Sequence, residues 1–122
     1  MPKTIMVVDD SRTVRQQVAV VLGGAGYEVL EAFDGVDAVE KIARCDGLAM
    51  IICDVNMPRM NGLDLLVRLK NEGRTNVPVL MLTTEGQATL ITQAKESGAK
   101  GWMVKPFKPE MLLAAVQKLT RS

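Results

Sequence analysis

A chain of 122 residues is long enough to bury one core and too short for two ordinary ones, so residues 1–122 read as a single domain. With 48% hydrophobic residues, 24% charged residues and a formal charge of +1, it has the balance of an ordinary globular core under a mixed surface, without the basic surplus of a nucleic-acid binder. Histidine is absent, which removes the usual general base, the usual imidazole ligand and any phosphohistidine role, so chemistry must rest on carboxylates, hydroxyls and lysine.

The first apolar run, Thr4 to Val8, is far too short for a signal peptide or a membrane span, and the expectation is a cytoplasmic protein with no membrane insertion. It ends in Asp9-Asp10, and Ser11 then stands where a helix start needs a cap, ahead of Val14, Val18, Val21 and Leu22 at helical spacing. Gly23-Gly24-Ala25-Gly26 follows that helix and precedes the second run, Glu28 to Ala32. Phosphate loops have the opposite context, strand before and helix after, so this segment is read as a turn. Asp34 caps a second helix carrying Val36, Val39 and Ile42, and the third run, Ala49 to Cys53, ends in Asp54. Cys45 and Cys53 are too few for a disulfide framework or a zinc site, which fits a reducing compartment.

Asn61 opens a third helix with Leu63, Leu66 and Val67, closed near Asn71-Glu72-Gly73. The fourth run, Pro78 to Leu82, ends in Thr83-Thr84; a helix with Ala88, Ile91 and Ala94 ends near Gly98. The fifth run, Gly101 to Val104, ends in Lys105-Pro106 before a last helix with Met111, Leu112, Ala115, Val116 and Leu119. Strand and helix thus alternate five times, the signature of an α/β fold of the (βα)5 kind. Continuous apolar strands imply burial on both faces, hence a doubly wound parallel sheet with helices on both sides. Most of the eight methionines read as core filling.

In an open parallel sheet, ligands bind beyond the carboxyl ends of the strands. If the first and third strands are neighbours, Asp9, Asp10 and Asp54 converge there, and like charges that close raise one another's pKa unless a cation intervenes. Lys105 supplies one positive charge against three negative, and a divalent ion with oxygen ligands, Mg²⁺ or Mn²⁺, supplies the rest. Asp54 can then act as a nucleophile toward a phosphoryl group, with Thr83 and Lys105 spreading the charge on its oxygens. Each residue also has a plainer role: Asp9-Asp10-Ser11 as a helix cap, Asp54 as turn chemistry, Thr83 as a strand-end β-former, Lys105-Pro106 as a turn. Those roles would have to coincide at four of five strand ends.

Four segments carry a resemblance: Val7-Val8-Asp9-Asp10-Ser11, Cys53-Asp54-Val55-Asn56-Met57-Pro58-Arg59-Met60-Asn61-Gly62, Leu82-Thr83-Thr84-Glu85, and Gly101-Trp102-Met103-Val104-Lys105-Pro106-Phe107. Across essentially the whole chain the sequence resembles the response-regulator receiver family, and within it the stand-alone chemotaxis regulators. The resemblance implies a flavodoxin-like five-stranded sheet in the order 2-1-3-4-5. It implies Asp54 as phosphoacceptor, a metal arranged by Asp9, Asp10, Asp54 and the carbonyl of Asn56, phosphoryl oxygens held by Thr83 and Lys105, and a cis Lys105-Pro106 bond. It also implies a monomer that is not an enzyme beyond its own phosphorylation and dephosphorylation. Its phosphodonor would be a sensor histidine kinase, its target a downstream protein such as the flagellar motor switch, and a phosphatase a further partner.

Thr84 stands where the family more often has a small residue, and Trp102 where it has tyrosine, phenylalanine or histidine, the aromatic that moves with the active-site hydroxyl. Asn56 and Glu85 match the chemotaxis regulators. A single-domain phosphorelay intermediate and a regulator of another signalling protein stay open beside the motor effector. Of other classes, a small aspartate-dependent phosphatase would place its nucleophile after the first strand. A flavodoxin-like FMN module would cradle phosphate where this chain has Asp9-Asp10.

Overall fold

The computed structural model describes residues 3–45, 47–55, 57, 60–74, 76–84 and 88–120. Through them run β1 (Thr4–Val8), α1 (Arg12–Gly24), β2 (Glu28–Ala32), α2 (Gly35–Arg44), β3 (Leu48–Asp54), α3 (Gly62–Asn71), β4 (Val79–Thr83), α4 (Ala88–Glu96), β5 (Gly101–Val104) and α5 (Pro109–Thr120). All pairings are parallel and the strand order is β2-β1-β3-β4-β5, the α/β topology expected.

Because successive strand side chains point to opposite faces, each central strand feeds two separate cores. Met6, Val8, Ile51, Cys53, Val79 and Met81 pack under α2, α3 and α4 through Ala38, Ile42, Leu65, Leu66, Leu69 and Ala94. Ile5, Val7, Met50, Ile52, Leu80 and Leu82 pack under α1 and α5 through Val18, Leu22, Leu112 and Val116. Each fully buried side chain of this size contributes about 1.5–3 kcal/mol over exposure, which is what closes the helices onto the sheet.

Burial on both faces holds for β1, β3 and β4 but not for the edges. Glu28 and Glu31 of β2 face solvent, as do Trp102 and Val104 of β5. An edge strand has a neighbour on one side alone, so its flanking helices cover it incompletely. The expected caps are in place: Ser11 Oγ accepts from the Val14 amide at 3.3 Å, Asp34 Oδ1 from Asp37 at 2.8 Å and Asn61 Oδ1 from Asp64 at 2.9 Å. α1 runs past the expected stop at Gly23, and it is Gly26, with φ of 93°, that takes the left-handed turn into β2.

Register positions the chemistry. Val8 pairs with Cys53, so Asp9 and Asp54 emerge side by side, while Asp54 pairs with Leu82 and Thr83 with Val104. The carboxyl ends of β1, β3, β4 and β5 therefore open onto one shared edge.

Candidate functional site

Asp9 leaves β1 with its amide donating to the Ala32 carbonyl at 3.0 Å, and its side chain is wholly buried. Both of its oxygens are engaged, Oδ1 by the Ser11 amide at 2.8 Å and Oδ2 by Lys105 Nζ at 2.7 Å. Lys105 reaches back from the end of β5 and also lies 3.3 Å from Asp54 Oδ2, so one ammonium bridges two buried carboxylates. The Lys105–Pro106 peptide is cis, as expected. Burial is the largest single influence on Lys105 and disfavours its charge. The hydrogen bond that Lys105 donates to Asp9 and the charges of Asp9 and Asp54 together outweigh it and hold the ammonium above its ordinary pKa.

Asp10 is exposed beside this pair, and oxygen atoms of Asp9, Asp10 and Asp54 lie within 4.8 Å of one another. The backbone closes around Asp54 from behind: the Val55 amide donates to Leu82 O and the Gly62 amide to Val55 O, each at 3.0 Å. That approach needs glycine at 62, because a Cβ there would sit 2.4 Å from the Asp54 carbonyl oxygen. Thr83 is buried at the end of β4, and its hydroxyl has no hydrogen-bond partner among the described residues. An orphaned buried hydroxyl costs free energy until an acceptor arrives.

Three carboxylates against one lysine leave the cluster two charges negative, which a divalent cation with oxygen ligands offsets. The donor set thus fits such an ion, and Thr83 fits an incoming oxygen. Cys53 offers neither a ligand nor a nucleophile: burial, and then the charges of Asp54 and Asp9, push its thiol pKa far up against the opposing pull of Lys105.

Asp9, Asp10, Asp54 and Lys105 come together as the strand ends foretold, with Thr83 on the adjoining strand. Asn56 and Glu85 lie outside the described residues. Trp102 is on β5, 37% exposed and paired in register with Met81, and Lys95 Nζ of α4 sits 4.3 Å from its ring centroid. Arg15 has no motif signature. From α1 it donates through Nη1 to the Asp9 carbonyl at 2.7 Å and through Nε to Glu31 at 3.1 Å. The available signal was spacing alone: Arg15 lies one helical turn beyond the Ser11 cap, so it faces back toward the loop.

A charged notch at the carboxyl edge of a five-stranded parallel α/β sheet, cation-deficient, lined by carboxylate and ammonium and with a buried hydroxyl on the adjoining strand end, is what a phosphoryl-accepting module requires. Residues 5–117 match the response regulator receiver domain family, and the chain belongs to it. It is 42% identical over 110 residues to the chemotaxis protein CheY1 of Helicobacter pylori, covering 88% of this chain and 89% of that one. It is 37% identical to the CheY homologue of Campylobacter jejuni, covering 88% and 85%. The structure of chemotaxis protein CheY4 of Vibrio cholerae superposes with a TM-score of 0.92 at 40% identity, covering 98% of this chain and 99% of that one. No helix among the described residues is long and apolar enough to cross a membrane.

Proposed function

We propose that this receiver domain, spanning residues 1–122, is a chemotaxis response regulator activated by phosphorylation of Asp54. The observation that carries the reading is Lys105 bridging Asp9 and Asp54 beside Asp10, a constellation two charges short of balance. Asp54 would attack the phosphorus of a kinase phosphohistidine, forming an O–P bond as the N–P bond breaks and the electron pair leaves on the imidazole nitrogen. No proton has to be removed from a carboxylate for it to attack, so the lack of histidine is no obstacle.

Asp9, Asp10, Asp54 and the carbonyl of Asn56 would hold Mg²⁺ or Mn²⁺, which supplies charge neutralisation for the phosphoryl oxygens. Lys105 would bind one of those oxygens and the Thr83 hydroxyl another. The names of the relatives support chemotaxis; the donor proposed is a sensor histidine kinase and the target the flagellar motor switch, in the cytoplasm. A phosphatase is the remaining partner proposed.

Asp54→Ala should abolish labelling by acetyl phosphate in the presence of Mg²⁺; a variant that still labels at full stoichiometry would refute the assignment. Binding of the beryllofluoride form to the motor-switch protein of the same organism tests the target, and equal binding with and without beryllofluoride would refute that part.

A further inference from the structure

Asp10 differs from the two carboxylates beside it. Asp9 is locked by the Ser11 amide and Lys105, and Asp54 is buried against Lys105. Asp10 is exposed and its side chain has no hydrogen bond or ion pair among the described residues, yet an oxygen of it lies in the cluster. With nothing gripping the carboxylate, its aim is set by the backbone that carries it.

The peptide unit entering Asp10 is built from the Asp9 carbonyl, and that carbonyl is where Arg15 Nη1 donates, at 2.7 Å. Arg15 is itself only 17% exposed and is fastened through Nε to Glu31 of β2 at 3.1 Å. On the other side of Asp9, its amide is tied to Ala32 O of the same strand at 3.0 Å. We propose that Arg15 is a positioning residue for the divalent-metal site: by fixing the plane of the Asp9–Asp10 peptide against β2, it directs the Asp10 carboxylate into the cluster. This rests on the metal reading above.

The sign of the effect separates positioning from charge. Arg15 is a cation near an acidic cluster, so Coulomb's law alone makes its removal favour Mg²⁺. Positioning makes its removal disfavour Mg²⁺, because an unbraced peptide leaves Asp10 to be ordered on binding.

The test is Mg²⁺ titration by calorimetry of the wild type, Arg15→Ala, Arg15→Lys, Glu31→Ala, Asp10→Ala and the double variant Arg15→Ala/Asp10→Ala. Arg15→Ala should weaken binding about tenfold, the usual scale for groups that orient a ligand. Arg15→Lys, which keeps the charge and one donor, should recover part of it. Glu31→Ala, at an exposed position that the fold tolerates, should lose affinity in the same direction and keeps the test valid if Arg15→Ala fails to fold. In the Asp10→Ala background the Arg15 change should cost nothing further. Binding by Arg15→Ala as tight as wild type or tighter, or an equal loss in both backgrounds, overturns the proposal. If Asp10→Ala itself binds Mg²⁺ normally, the metal reading falls and takes this one with it. If Asp10→Ala binds weakly while Arg15→Ala does not, this proposal alone falls.

Discussion

Thr83→Val is predicted to stabilise the resting protein while crippling its response. The Thr83 hydroxyl is buried without a partner among the described residues, a state that costs about 1–3 kcal/mol in mutational data. Valine has nearly the same shape and no hydroxyl, so the resting domain should gain about 1–2 kcal/mol, raising Tm by roughly 4–8 °C for a domain of this size. Beryllofluoride with Mg²⁺, a phosphoryl mimic, reverses the order. A hydrogen bond to a charged group contributes about 1.5–3 kcal/mol, so losing it weakens the mimic's binding by roughly 10–100-fold. At a concentration about 100 times the wild-type Kd, the wild type gains about 2.7 kcal/mol, whereas a variant with a 100-fold larger Kd gains only about 0.4 kcal/mol. At the roughly 100-fold end the melting curves should cross on addition of the mimic, and over the whole range the variant's shift should be the smaller. Two results would refute the reasoning: a resting variant that melts below the wild type, or equal shifts for both with beryllofluoride.

Lys105 should show in the alkaline limb of stability. Its folded pKa lies above the ordinary value of 10.5, so its contribution is fully present below that value and is lost only as pH rises through the raised one. The gap in urea midpoint between wild type and Lys105→Gln should accordingly hold constant through neutral pH and close only at strongly alkaline pH; a gap already closing near neutrality would contradict the assigned ion pairs. Gly62→Ala would place a Cβ 2.4 Å from the Asp54 carbonyl oxygen, a backbone atom that cannot swing aside. Denaturant unfolding should report a loss of roughly 1–3 kcal/mol, and an unchanged midpoint would mean the loop behind Asp54 is slack.

The central strands were legible because an apolar run buried on both faces looks the same from sequence as in the fold, and their ends moved by a residue for identifiable reasons. β3 runs on to Asp54, a charged residue that the apolar pattern excludes, because its backbone still pairs with Leu82. β4 starts at Val79 where Pro78 was expected to begin it: proline has no amide to give the ladder, although its carbonyl accepts from Ile51 at 3.0 Å. The edges were read too generously, since nothing in Glu28 to Ala32 or Gly101 to Val104 states that only one neighbour will be present. Arg15 and Gly62 were not singled out as site residues, although spacing places Arg15 one turn beyond the Ser11 cap and Gly62 closes one of the segments that carry the resemblance. Both act on backbone atoms, the Asp9 and Asp54 carbonyls, and no side-chain pattern encodes a contact to a carbonyl.

What the sequence did carry was a set of groups whose plain roles are each ordinary and whose combination is costly. A helix cap needs one oxygen at Ser11, not two aspartates before it, and a strand end needs no buried hydroxyl. Among the described residues the costs gather at one edge of the sheet: carboxylates crowded within 4.8 Å, one of them held by no side-chain partner, a net charge two units negative, and an orphaned hydroxyl on the neighbouring strand. Unfavourable features scattered through a domain would be accidents of drift, but these have a common remedy. A divalent cation would offset the charge and give Asp10 something to hold, and a tetrahedral anion would give Thr83 an acceptor and Lys105 a further partner. On the proposed function, a resting state with those defects is poised for that pair of ligands, and relieving them on binding would supply the free-energy difference between two states that a switch requires.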